Sequence, residues 1–153
     1  MAIKIDKIIS INKKAKFNYL IEDELEVGIV LAGTEVKSIR EGKINLKDSY
    51  ARIKNNEVYL YQMHVSPYSH AYYENHDPLK IRKLLLNKFE IKRLSSKVTE
   101  KGYALIPLNI YFRNGKVKLT LGLAKGKRLH DKRETLRKKD AQRELDRAKK
   151  DNK

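Results

Sequence analysis

Apolar and polar positions alternate with period two over much of the first 125 residues. Leu25-Glu26-Val27-Gly28-Ile29-Val30-Leu31 reads as a strand that becomes apolar on both faces toward its end. Ser49 to Lys54 and Glu57 to Gln62 flank Asn55-Asn56, a two-residue hairpin turn, since Asn tolerates left-handed backbone. The sharpest signal comes later. Ala104, Ile106, Leu108, Ile110 and Phe112 alternate along one strand, and Val117, Leu119, Leu121 and Leu123 alternate along the next. Asn114-Gly115 between them is the dipeptide best suited to a type I′ turn.

Two helices interrupt the strands. Thr34 to Glu41 is short and stopped by Gly42. Asn87 to Lys101 is longer, with Asn87 as N-cap, Glu90 at the capping-box position and Gly102 as the stop. Its Ile91, Leu94 and Val98 recur at helical spacing and should face the core. Six or seven short strands plus two helices predict a mainly β fold, a small closed antiparallel barrel resembling an OB-fold. Closure hides sheet edges that would otherwise invite aggregation. Residues 66–80 show no period, hold two of the three prolines and read as a long loop.

Beyond residue 125 the texture changes. Residues 126–153 hold 12 basic and 6 acidic side chains among 28 positions, and Leu129, Leu136, Ala141, Leu145 and Ala148 make only a thin apolar stripe. The chain therefore divides into a 1–125 barrel domain and a 126–153 basic tail. An isolated helix of this kind is marginal in water, so the tail is expected to be disordered when free and helical on an anionic surface.

Charge points toward the partner. Lys and Arg total 35 against 19 Asp and Glu, a net +16 in 153 residues. A compact domain with that imbalance repels itself unless a polyanion relieves it, and nucleic acid is the commonest. An apolar share of 41% argues against a wholly disordered chain. Cysteine is absent, which excludes disulfides, thiolate zinc sites and Cys nucleophiles and fits a reducing cytosol. There is no signal-peptide pattern at the N-terminus, and no run approaches the ~18 apolar residues of a membrane span. A soluble, cytoplasmic protein is expected.

No catalytic constellation can be assembled. The chain has no G-x-S-x-G, Walker A, G-x-G-x-x-G or H-E-x-x-H motif. His64, His70 and His76 recur at six-residue spacing beside Asp77, which matches no standard metal module. They read as surface or packing histidines, and no metal, cofactor or small-molecule substrate is expected. A ribonuclease using His64, His70 and a Lys is the enzymatic rival, but nothing in the spacing brings its partners within reach. Glu22, Asp23 and Glu24 read as a solvated hairpin tip. A membrane-surface role is weak, because the tail lacks a bulky apolar face.

Basic clusters are the positive finding. Lys13, Lys14 and Lys16 sit among Asn12, Phe17 and Tyr19; Lys37 and Arg40 share one face of the short helix. Arg82, Lys83, Lys88, Lys92 and Arg93 crowd the start of the second helix, and Lys116 and Lys118 project opposite the apolar face of the last hairpin. Basic groups neutralise phosphates, while neighbouring aromatics stack on unpaired bases. A generic ribosomal or OB-type RNA-binding protein satisfies these observations.

Several ordered blocks sharpen that reading. They are Asn12-Lys13-Lys14-Ala15 with Tyr19, Glu26-Val27-Gly28-Ile29, Gly33-Thr34-Glu35-Val36-Lys37-Ser38-Ile39-Arg40 and Asn45-Leu46-Lys47-Asp48-Ser49-Tyr50. His64-Val65-Ser66-Pro67-Tyr68, Arg82-Lys83-Leu84-Leu85-Leu86 and the run from Gly122 to Arg133 follow. Together they resemble the small protein B (SsrA-binding protein) family over nearly the whole chain. The resemblance implies an OB-like barrel that binds the tRNA-like domain of tmRNA for trans-translation. It also implies a tail at the ribosome's small-subunit decoding site and mRNA channel. Asn12, Glu26 and Lys118 match family residues implicated in tmRNA binding. Tyr19 lies in the first motif, and charge and proximity add Lys13, Lys14, Lys37 and Arg40. Glu26 is suited to accept hydrogen bonds from base amino groups. In the tail, Gly126, Lys127, His130, Asp131, Lys132 and Arg133 match the ribosome-active segment, and Arg128 lies in the same run. Lys138, Lys139, Arg143 and Arg147 fall near one helical face, as needed to follow a phosphate-lined channel.

Overall fold

The computed structural model describes residues 7–71, 74–127 and 129–151. Its strands are β1 (Lys7–Ile11), β2 (Tyr19–Ile29), β3 (Ile44–Asn45), β4 (Tyr50–Lys54), β5 (Glu57–Tyr61), β6 (His64–Val65), β7 (Arg82–Leu85), β8 (Ala104–Arg113) and β9 (Lys116–Gly126). Its helices are α1 (Lys13–Asn18), α2 (Gly33–Arg40), α3 (Lys88–Lys101) and α4 (Leu129–Asp151). Among the described residues there are thus nine strands where six or seven were expected, and four helices, α1 and the tail's α4 adding to the two expected among the strands. The segment Lys13–Asn18 buries only Ala15, too short a pattern to show a helical period.

Seven strands form one antiparallel sheet in the order β1-β8-β4-β5-β7-β2-β9, and β8 also pairs with β9. The last pairing closes six strands into a ring, with β1 appended to β8. One edge of β8 serves two neighbours, β1 along Asn109–Phe112 and β4 at Leu105. Both predicted turns form as expected. Asn55 and Asn56 hold φ of 53° and 60°, and Asn114 and Gly115 hold 50° and 74°, the left-handed pairs a type I′ hairpin requires.

Helix α3 begins as its caps predict. The Asn87 side chain accepts the Glu90 N–H at 2.9 Å and Glu90 returns a bond to the Asn87 N–H at 3.0 Å. Gly102 in the left-handed region ends it. Ile91 and Leu94 are buried, and Val98 packs against the same core.

One expectation fails in detail. The β8 apolar residues do not share a face, because the register shifts between Pro107 and Asn109 and leaves Leu108 as a bulge. Ile110 and Phe112 point into the main core with Leu119, Leu121 and Val117. Ile106 and Leu108 instead face outward, forming with Ala124 and Ala15 a second, smaller cluster beneath α1. Glu22, Asp23 and Glu24 are also not a hairpin tip. They lie within β2, beside its own bulge between Ile21 and Asp23, and are exposed there.

Candidate nucleic-acid interface

Glu26 and Lys118 come together on the outside of the ring. Glu26 sits opposite Thr120 and Lys118 opposite Gly28 in the β2–β9 ladder, while Tyr111 on β8 lies across from Lys118. The Glu26 carboxylate accepts hydrogen bonds from the Tyr111 hydroxyl and the Arg113 guanidinium. Partial burial pushes its pKa up, but those two bonds and the charges of Arg113 and Lys118 outweigh it and hold the carboxyl below its ordinary value. Burial and the bond to Glu26 push the Tyr111 phenol up to about 12. Glu26 is therefore an anion fixed in a cationic surround, with lone pairs left for a donor from outside.

Leu85 joins this face and was missed in the sequence. It pairs with Gly28 at the β2–β7 junction, and a Cβ on Gly28 would stand 3.3 Å from its side chain. Despite that contact Leu85 is 52% exposed. An exposed apolar side chain on the same face as Glu26 and Lys118 offers an apolar contact to a nucleobase. In the sequence it was masked by the Leu84-Leu85-Leu86 run, which reads as core.

Asn12, Lys13, Lys14 and Tyr19 occupy a different region. Tyr19 pairs with Gly126 at the opposite end of β2 from Gly28. Tyr19 and Glu26 are seven positions apart along the strand, about 23 Å at strand rise. Asn12 is buried: its amide donates to the Pro107 carbonyl at 2.9 Å and to that of Leu46 at 3.4 Å, and its backbone N–H donates to Leu108 O at 2.8 Å. It clamps α1 onto the β8 bulge, which holds Lys13 and Lys14 outward where both are exposed.

Lys37 and Arg40 project from α2 and are exposed. The Lys37 ammonium lies 5.5 Å from the Tyr68 ring, and the Arg40 guanidinium lies 5.3 Å from that of Phe112, near the β8–β9 turn. A buried ion pair sets the pose of this helix. Glu35, fully buried, accepts from Arg82, whose Nη1 also donates to Met63 O at 2.6 Å and whose Nη2 donates to Pro78 O at 3.3 Å. Arg82 therefore leaves the basic surface cluster in which the sequence placed it. Arg93 pairs with Asp23 at 3.2 Å and Lys83 with Glu57 at 3.6 Å, so Lys88 and Lys92 carry that cluster's unpaired charge among the described residues.

Among the described residues no group of three or more His, Cys, Asp or Glu side chains gathers around the histidines. His76 is a packing residue. Its Nε2 donates to Val65 O at 2.9 Å, and its Nδ1 lies 3.0 Å from the Thr34 hydroxyl, in hydrogen-bond contact. His64 and His70 are exposed.

Gly126 ends β9, and α4 carries the tail residues from Leu129 to Asp151. The Lys127 N–H donates to Asn18 O at 2.8 Å and its ammonium to Thr135 Oγ1 at 2.9 Å. Lys139 reaches over the Phe17 ring at 5.6 Å. Lys132 is half-buried, whereas Arg133, Lys138, Lys139, Arg143 and Arg147 are exposed. His130 and Asp131 fall in the first turn of α4, and Arg128 lies outside the described residues. Among the described residues no helix is long and apolar enough to cross a membrane.

Relatives share this chain almost end to end. The SsrA-binding protein of Alkaliphilus metalliredigens (strain QYMF) is 57% identical over 145 residues, covering 95% of this chain and 92% of its own. That of Bacillus subtilis (strain 168) is 56% identical over 142 residues, covering 93% and 91%. A chain from a solved structure described as "tmRNA-SmpB: a journey to the center of the bacterial ribosome" superposes with a TM-score of 0.67 at 45% identity, covering 85% of this chain and 94% of that one. The model of the family described as SmpB protein matches residues 9–151, and the chain belongs to that family.

Proposed function

We propose that this protein binds tmRNA and serves trans-translation on the ribosome, as a cytoplasmic RNA-binding protein without catalysis of its own. The observation that carries the reading is near full-length identity to SsrA-binding proteins. The cation-rich surface supports it. We read the six-strand ring as an OB-like barrel, the domain of residues 1–125 that grips the tRNA-like part of tmRNA. Lys118, Lys13, Lys14, Lys37 and Arg40 supply phosphate contacts. Glu26 accepts from base amino groups, and Asn12 positions the α1 lysines. Phosphate contacts set affinity while the carboxylate sets specificity, because a carboxylate repels phosphate and rewards only a correctly placed donor.

The tail of residues 126–153 follows the vacant mRNA channel of a stalled ribosome to the decoding site. Gly126, Lys127, Arg128, His130, Asp131, Lys132 and Arg133 form its leading segment, and Lys138, Lys139, Arg143 and Arg147 track channel phosphates. Intact mRNA would fill the same path and exclude it, which restricts action to truncated messages. Its helix is held by little apolar contact, consistent with ordering on RNA rather than before it.

Removing residues 126–153 tests the division of labour. The truncated protein should retain tmRNA affinity within about twofold and lose tagging of stalled peptides. Lost tmRNA binding, or tagging at the full-length rate, would overturn it.

A further inference from the structure

A groove of ≈ 700 Å³ lies between α1, β4 and α3, away from the Glu26 face. Lys14 and Tyr19 line one side, Tyr50 and Arg52 another, and Ser95 and Thr99 of α3 the third. Its volume falls within the range of small-ligand sites, roughly 300–1,000 Å³. We infer that it holds one unpaired ribonucleotide, an RNA contact additional to the Glu26 face; this rests on the RNA-binding reading above.

The side chains present match the parts of a nucleotide. Tyr50 stacks on Tyr61 with ring centroids 5.4 Å apart and planes inclined by 7°, and the Arg52 guanidinium lies 5.2 Å from the Tyr50 centroid. The Arg52 guanidinium is thus held over one ring of an aromatic pair before any ligand arrives. Unpaired RNA bases stack on fixed guanidinium planes as they do on aromatic rings. Among the described residues neither Lys14 nor Arg52 is in an ion pair, so both charges are available to a phosphate. The Ser95 and Thr99 hydroxyls donate or accept as a base edge requires. One carboxylate, Asp48, also lines the groove; it suits a ribose hydroxyl or an exocyclic amine and disfavours a phosphate at that end.

Position argues for RNA over a free metabolite. Asn18 lines the groove, and its carbonyl holds the Lys127 N–H at the root of the tail. Any RNA that the tail enters is brought to the mouth of the groove. The nucleotide could come from ribosomal RNA beside the tail or from tmRNA, and the two sources separate experimentally.

Full-length Arg52→Ala and Ser95→Leu variants provide the test. The first removes the stacking plane, and the second fills the groove without changing charge. Affinity is measured for purified tmRNA and, separately, for small ribosomal subunits at fixed salt, with thermal melts to show that both variants fold. Each variant should lose about tenfold in affinity, the scale of one stacked base, for at least one RNA; the arm that falls names the source. Wild-type affinity in both arms overturns the inference, and so does a loss confined to Arg52→Ala, which is a charge effect alone. Failure of the wild-type protein to bind tmRNA would instead overturn the RNA reading itself.

Discussion

The guanidinium of Arg82 touches Glu35, Met63 O and Pro78 O while only 1% exposed. Its energetic weight is asymmetric. A buried pair is weakly stabilising against an apolar substitute, yet removing one partner strands the other charge. Arg82→Met should therefore cost about 3–5 kcal/mol in urea unfolding, and Glu35→Leu with Arg82→Met should recover much of that. A single-variant cost under about 1 kcal/mol would show that Glu35 finds solvent or another cation. Lys80, 3.9 Å from Glu35 Oε1, is the nearest candidate. Glu26 gives a second residue-scale prediction. Its folded pKa is held below the ordinary carboxylate value, so the unfolded chain binds more protons at acid pH. The stabilisation is present above the unfolded value and is lost as pH falls through the folded one. Glu26→Gln should flatten the decline of stability in the acid range. Identical slopes for the variant and wild type, followed by urea midpoints from pH 6 downward, would refute the assignment.

At the scale of elements, what could be read from the sequence depended on whether its determinants were local. The two hairpins and α3 were legible because Asn55-Asn56, Asn114-Gly115 and the Asn87–Glu90 box are each decided within a few residues. Helix α1 was not: six residues with one buried alanine show no period, and Asn12 fixes the helix through carbonyls up to 95 positions away. The β8 bulge was hidden because unbroken alternation from Ala104 to Phe112 looks the same whether or not one residue is extruded. In the site, the exposed lysines were legible from charge. Leu85 and Arg82 were not, since an exposed leucine and a buried arginine are both decided by distant strands. For α4, a peptide of residues 126–153 should show little helix by circular dichroism in water and gain it on a polyanion. Stable helix in water alone would remove ordering on RNA from the proposed mechanism.

For the whole molecule, charge and shape are separated. The ring places its cations on at least three surfaces, around Lys118, on α2 and on α1, whereas α4 strings them along a rod. Such a distribution suits an irregular folded RNA at one end and a narrow path at the other. With about 6–10 phosphates neutralised, tmRNA affinity should fall roughly a thousandfold or more between about 50 and 200 mM salt. A salt-independent dissociation constant would refute an electrostatic grip. The six residues of α1 carry one more consequence. The tail's contacts outside itself include those of Lys127 to Asn18 and of Lys139 to Phe17, both on α1. A helix so short has little stability of its own. Tension on the extension first breaks these contacts with α1, and only afterwards loads β9, to which the extension is covalently joined, so α1 yields before the closed sheet, as a mechanical fuse would.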